Sequence, residues 1–289
     1  MGSNTFRSWG FADALDPSSR SELEALTKRM HAFYTDPANA IYWEQADAGN
    51  ERWLPETHPY HCDLRSRMTT GERVVDFGCG GTHAFSNLKL AEVLYTGLDW
   101  STDQVAQNRS REPEATYIAG SVMDGAREID GSADWAISLF AIEHCTFPDR
   151  MLRRMAEAVR PGGRVAILCP DFEPGMPSLR AGFTAATRRD KFRRLQWLDL
   201  AWGIVQDKVF WPRRLRAVHR SSMRLPIYLH PRCLDAPYYS DTDAVFLATE
   251  AKIADHLQSL GLEVTTRGRR LDLPHAANLG ICYVIAEKA

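Results

Sequence analysis

Between Gly71 and Pro170, five short apolar runs alternate with segments of helical character: RVVDFG, LYTGLD, ATYIAG, DWAISLF and RVAILC. No other feature restricts the fold as much. Near-continuous apolar strands need cover on both faces, and the intervening segments are long enough to be crossover helices, so the region predicts a parallel sheet between layers of helices. In the segment from Arg150 to Arg160, Met151, Leu152, Met155 and Val159 fall on one helix face, and Pro161-Gly162-Gly163 supplies a stop and a turn.

On either side the pattern changes. A helix is expected from about Ser21 to Tyr34, because Ser19 and Glu22 have capping-box spacing and Leu23, Leu26, Met30 and Phe33 recur at helical intervals. From Asp36 to Tyr60 aromatics and turn formers suggest irregular covering structure. After Asp171 the alternation stops, yet Phe192, Leu195, Leu198, Trp202, Val205 and Val209 keep helical spacing, so residues 171–241 read as a mostly helical insertion. Ala244 to Leu260 reads as a helix ended by Gly261, and LEVTTRG and ICYVIAEK as a closing antiparallel pair separated by Arg269 to Gly280. The expected organisation is an N-terminal helical cover, 1–70, and an α/β domain, 71–289, interrupted by the 171–241 cap.

A formal net charge of −2 over 289 residues gives no global field toward nucleic acid or membrane. No apolar stretch approaches the ~18 residues of a membrane span. The six cysteines, Cys62, Cys79, Cys145, Cys169, Cys233 and Cys282, are widely spaced, which suits reduced thiols in a cytoplasm.

The stretch VVDFGCGGTH, Val74 to His83, is a strand running into a glycine-rich turn that opens a helix. Such a turn lets a ligand approach the backbone and offers unpaired N–H groups, so a nucleotide-like cofactor is implied. One reading is a dinucleotide site, with Gly78-Cys79-Gly80 as G-x-G and Asp99 about twenty residues on. Its sixth position is His83, however, and Asp76 would stand near a pyrophosphate, with a repulsion of about 4 kcal/mol at ~4 Å and an effective dielectric near 20. No tyrosine has the Tyr-x-x-x-Lys spacing of one common proton relay. The other reading is a ligand that carries an ammonium group for Asp76 and a ribose whose hydroxyls Asp99 accepts.

Here the residues resemble a known family. Asp76-Phe77-Gly78-Cys79-Gly80 is D-x-G-x-G, Gly97-Leu98-Asp99 ends the second strand, Gly120 to Asp124 ends the third, and Arg160-Pro161-Gly162-Gly163 precedes the fifth. In order and spacing these are similar to a class I S-adenosylmethionine-dependent methyltransferase of the methyltransferase-11-like group. The resemblance implies a Rossmann-like, doubly wound seven-stranded sheet with an antiparallel last strand, and S-adenosylmethionine across its carboxyl edge. It assigns Asp76 and the Gly78, Cys79 and Gly80 backbone to the methionine part and Asp99 to the ribose. Trp100 and Met123 would flank the adenine, Asp124 would accept its amino group, and Phe140 is counted among the cofactor contacts. The family's frequent third glycine is replaced by Thr82.

At the end of the fourth strand, Glu143 and His144 occupy a place where the family often carries a Glu-His pair. His144 is the candidate general base and Glu143 a wall of the active site grouped with it, with loop bonding the structural alternative for each. His58, His61, Cys62 and Asp63 are all possible metal ligands, but three are consecutive, and helix capping and packing are preferred to a metal site. Tyr34, Tyr42, Trp43 and Tyr60 would close over the cofactor or simply pack.

From Arg188 to Arg224 eleven basic residues face three acidic ones, interleaved with Phe192, Trp197, Trp202, Phe210 and Trp211. This segment reads as a cap with solvated arginines, with nucleic acid or an acidic carrier protein as alternatives. The expected function is methyl transfer to a small molecule, aromatic or bulky and apolar, at O or N. The alternatives are an RNA methyltransferase, an NAD(P)-dependent oxidoreductase and a binding protein without turnover.

Overall fold

The computed structural model describes residues 6–9, 11–39, 42–43, 57–81, 83–88, 92–123, 125, 127–174, 201, 205, 211–220, 224–231, 243–271 and 280–289. Asp124, Thr82, Cys233, Phe192, Trp197, Trp202, Phe210 and most of the basic segment lie outside these residues.

The expected alternation appears as strands β2 (Arg73–Phe77), β3 (Leu94–Asp99), β4 (Thr116–Ala119), β5 (Ala133–Leu139) and β6 (Val159–Pro170). They are joined by helices α3 (His83–Leu88), α4 (Thr102–Arg111) and α5 (Pro148–Ala158). With β8 (Leu262–Arg267) and β9 (Ile281–Lys288) they form one seven-stranded sheet in the order β4-β3-β2-β5-β6-β9-β8. β2 to β6 pair in parallel, and β9 runs antiparallel to both β6 and β8. The strand order reverses between β2 and β5, and a ligand crevice is expected outside the carboxyl ends of the strands at such a switch point.

Each face of the sheet has its own core. Val75, Phe77 and Ile167 pack in one cluster with Leu26, Met30, Met151, Leu152, Ile253 and Leu257, while Val74, Tyr95 and Ile137 pack in another with Tyr60, Leu64, Phe85 and Val105. The first cluster takes its cover from α1 (Pro17–Thr35), α5 and α7 (Glu250–Ser259), and the second from α2 (Pro59–Ser66), α3 and α4.

Three helix boundaries differ from the sequence expectation. α1 starts earlier, because Asp16 rather than Ser19 is the cap: its Oδ1 accepts from the Ser19 N–H at 2.9 Å, and Pro17 takes the first helical position. α5 ends at Ala158, and Val159 pairs with Ala133 while Arg164 pairs with Trp135, so residues 160–163 bulge out of the ladder. α7 starts at Glu250, capped by the Thr249 side chain, rather than at Ala244. Residues 244–248 are an unbroken apolar run without helical punctuation, and they lie buried and extended. Val245 and Phe246 donate N–H bonds to the Glu143 carbonyl at 2.7 and 2.9 Å, and Leu247 donates to that of Pro226.

Within the 171–241 stretch, α6 (Trp211–Arg220) is followed by a strand, β7 (Leu225–Tyr228), which the sequence pattern did not suggest. It pairs antiparallel with β1 (Phe6–Trp9), tying the N-terminus to the insertion. On α6, Leu215 packs against Phe172, Ala244 and Leu247 and Val218 is buried, while Arg213 and Arg216 are exposed. No described helix is long and apolar enough to cross a membrane.

Candidate active site

The turn after β2 is shaped by close approaches. Gly78 has φ +84°, and a Cβ there would lie 2.4 Å from the Ala141 Cβ, so the turn presses against the segment that follows β5. Gly97 on β3 has a similar role: a Cβ would meet the Cys79 Sγ at 2.8 Å, so its bareness lets Cys79 tuck under the turn. The Gly78 and Cys79 N–H groups both donate to the Leu98 carbonyl, at 2.8 and 3.1 Å. Asn108 on α4 donates its side-chain amide to the Gly80 carbonyl at 2.7 Å, a brace that the sequence reading missed.

Two carboxylates sit at this turn. Asp99, at the end of β3, accepts from the Gly80 N–H at 3.0 Å and from the Ser101 N–H at 2.8 Å. Burial raises its pKa although these N–H groups act in the opposite direction. Each oxygen keeps a second acceptor site, which suits a pair of vicinal hydroxyls. Asp76 is deeper, 1% exposed, with Oδ2 accepting from the Tyr95 hydroxyl at 2.6 Å and Oδ1 buried with no hydrogen-bond donor among the described residues. Burial pushes its pKa up to about 7. The Tyr95 hydrogen bond opposes the shift and the Asp99 charge adds to it. An orphaned buried carboxylate oxygen under a glycine turn fits a ligand with an ammonium group.

Trp100 and Met123 are the adenine candidates. Both pack in one apolar cluster, and His31 meets the Trp100 ring edge-on at 5.3 Å.

Beyond Ala141 the chain makes a 3-10 turn, Ile142–His144, entered through Phe140 at φ +58°. An aromatic residue in the left-handed region costs roughly 1–2 kcal/mol and is held there by its surroundings, a feature that clusters at functional sites. His144 Nδ1 lies 3.3 Å from Asp243 Oδ2, and its Nε2 lies 3.8 Å from Glu143 Oε1. The same Asp243 oxygen accepts from the Tyr34 and Tyr42 hydroxyls, both at 2.7 Å. Tyr34, at the end of α1, stands between His144 and Trp100, with ring centroids 5.9 and 5.8 Å away. Trp43 continues this wall: it lies 5.9 Å from the Tyr34 ring and would be 3.5 Å from a Cβ at Gly80. Residues from α1, residues 42–43, the β2 turn, the β5 loop and the 243–249 segment thus meet at one edge of the sheet. Asp243 and Asn108 were absent from the sequence reading, and no local motif marks either.

The His58 cluster is put to other uses. His58 caps α2, accepting from the Tyr60 N–H at 3.2 Å, and burial pushes its pKa down to about 4. Asp63 accepts from the Arg67 guanidinium at 2.8 Å and from the Tyr283 hydroxyl at 2.7 Å.

With this geometry established, comparison with known proteins is specific. Residues 75–167 match the family model described as a methyltransferase domain. The chain is 31% identical over 118 residues to the ubiquinone biosynthesis O-methyltransferase of Chromobacterium violaceum, which covers 39% of this chain and 51% of that protein. It is 30% identical over 153 residues to the protein of the same name from Xanthomonas euvesicatoria pv. vesicatoria, covering 50% and 64%. The chain thus spans about half to two thirds of the length of these relatives. Two solved structures share the fold: a TehB-like SAM-dependent methyltransferase from Corynebacterium glutamicum and the 1,6-didemethyltoxoflavin-N1-methyltransferase of Burkholderia thailandensis. The first has TM-score 0.52 and 12% identity, with 88% of this chain and 100% of that one covered; the second has TM-score 0.50 and 15% identity, with 88% and 91% covered. Residues 75–167 thus match a methyltransferase domain, and the sheet order and the glycine turn at the switch point agree with the fold that the resemblance to class I S-adenosylmethionine-dependent methyltransferases implies.

Proposed function

We propose that the chain transfers a methyl group from S-adenosylmethionine to a small-molecule acceptor held between the β2 turn and His144. The observation that carries this reading is the meeting of the Gly78–Ala141 contact with the His144–Asp243–Tyr34 cluster, which sets a cofactor cradle beside a histidine oriented by a carboxylate. Asp76 and the Gly78 to Gly80 backbone would hold the methionine part of the cofactor and Asp99 its ribose, with Trp100 and Met123 along the adenine. When bound, the cofactor supplies a methyl group on a sulfonium centre.

The protein's own contribution is alignment and proton handling. Holding the acceptor in line with the methyl carbon is a positioning effect worth up to ~7–11 kcal/mol. Tyr34 and Trp43 exclude water from the junction, and their ring faces suit a sulfonium cation. His144 accepts the acceptor's proton through one ring nitrogen while Asp243 holds the other. On α6 the buried Leu215 and Val218 and the exposed Arg213 and Arg216 support the cap reading of the insertion over a nucleic-acid face.

The test is incubation with methyl-labelled S-adenosylmethionine and a metabolite extract, followed by mass spectrometry of what gains the label. Label in small molecules supports the reading, and label in RNA alone contradicts it. On a labelled acceptor, His144→Ala is expected to lower kcat by about 100-fold or more and to remove its pH dependence, with KM for the cofactor unchanged. An unaltered kcat would remove His144 as the base.

A further inference from the structure

Asp243 has an acceptor to spare. Its Oδ2 takes the Tyr34 and Tyr42 hydroxyls and faces His144, whereas Oδ1 is buried with no hydrogen-bond donor among the described residues. The residue is 1% exposed, and a buried carboxylate oxygen without a donor is costly. Its partner Tyr34 sits in a cluster of aromatic rings, with Tyr42 at 5.2 Å, Trp100 at 5.8 Å, and His144 and Trp43 at 5.9 Å from the Tyr34 ring. A carboxylate oxygen accepts hydrogen bonds only, and aromatic faces attract positive charge. Both features call for one kind of ligand, a cation that carries N–H donors.

We propose that the methyl acceptor is an amine, bound in its ammonium form with an N–H on Asp243 Oδ1 and the ring faces of the Tyr34, Tyr42 and Trp43 cluster around it. This rests on the methyltransferase reading above and narrows its acceptor. The ammonium gives a proton to His144, which frees the nitrogen lone pair. The N–C bond then forms as the S–C bond breaks, with the bonding pair remaining on sulfur. Positive charge passes from sulfur to nitrogen, leaving a methylated ammonium and a neutral thioether, and the proton on His144 returns to solvent. A phenol acceptor would have to develop negative charge beside the Asp243 carboxylate, and a neutral alcohol gains nothing from that charge.

The curated relatives are O-methyltransferases by name. The family match at residues 75–167 includes Glu143 and His144 but none of Tyr34, Tyr42, Trp43 and Asp243. The groups that would choose the acceptor atom therefore lie outside the shared domain.

Calorimetry on the full chain tests the proposal. S-adenosylhomocysteine is titrated first, and the saturated protein is then titrated with phenethylamine and with its neutral counterpart, 2-phenylethanol. The amine is expected to bind about 10- to 100-fold more tightly, as for a hydrogen bond to a charged group. In Asp243→Asn, with S-adenosylhomocysteine affinity retained, the preference should shrink to within about threefold. Equal binding of the two probes, binding of neither, or a full preference surviving in the variant would overturn the amine proposal alone. A wild-type chain that fails to bind S-adenosylhomocysteine would overturn the methyltransferase reading and this proposal together. Should the variant not fold, the wild-type comparison decides.

Discussion

Replacing Gly78 by alanine is expected to destabilise the chain by about 3 kcal/mol, against about 1 kcal/mol for Gly71→Ala. Both glycines have φ +84°, so both substitutions impose the same left-handed strain. They differ in surroundings: nothing lies within 4 Å of a Cβ at Gly71, whereas one at Gly78 would stand 2.4 Å from the Ala141 Cβ. That clash is with a short, stiff side chain, and it is relieved only by moving the β2 turn away from the loop carrying Glu143 and His144. Cofactor affinity should therefore fall with Gly78→Ala and stay unchanged with Gly71→Ala. Urea unfolding of the two variants beside wild type measures the first effect, and calorimetry the second. Equal destabilisation by the two would show that the close contact does not shape the turn.

Asp76→Asn is expected to stabilise the unliganded chain at neutral pH while weakening its hold on the cofactor. A carboxyl whose folded pKa is raised from 3.8 to about 7 leaves stability untouched below pH ~4, where both folded and unfolded chains carry the proton. As pH rises from about 4 to 7 the unfolded chain releases the proton and the folded chain retains it, so stability declines, and above about 7 the loss is complete. The full effect is on the order of 4 kcal/mol. Asparagine has no such decline, so thermal midpoints followed from pH 4 to 8 should fall in wild type and run flatter in the variant. An ammonium group near the orphaned Oδ1 would favour the ionised carboxylate, so cofactor binding should release protons below pH 7 in wild type and not in the variant. Parallel stability profiles in the two proteins would contradict this account of Asp76.

Elements were legible in the sequence wherever the signal was local. The five apolar runs became the five parallel strands, because an apolar run bounded by glycine and polar residues has few other fates in a region of this length. α1 was recognisable from Leu23, Leu26, Met30 and Phe33, all of them buried, although its cap proved to be Asp16. The run from Ala244 to Ala248 misled, since an unbroken apolar stretch has no period to separate buried helix from buried extended chain. Its conformation is set by distant partners, the Glu143 and Pro226 carbonyls.

The site divides in the same way. Asp76, Gly78, Gly80 and Asp99 could be picked out because strand, turn and strand end come in a fixed order. Asp243 could not, because its significance comes from Tyr34, Tyr42 and His144, between 99 and 209 positions away in the chain.

The central claim is that the β2 turn and Asp99 hold S-adenosylmethionine. The most direct measurement is isothermal titration of the cofactor into wild type and Asp99→Ala at fixed pH and salt. The geometry, with Asp99 bonded to Gly80 and Ser101 and each oxygen keeping an acceptor site, predicts saturable one-to-one binding by wild type. It also predicts binding about 10- to 100-fold weaker in the variant, for hydroxyl hydrogen bonds lost to a charged group. Equal affinities in the two proteins, or no binding by wild type, would contradict the account.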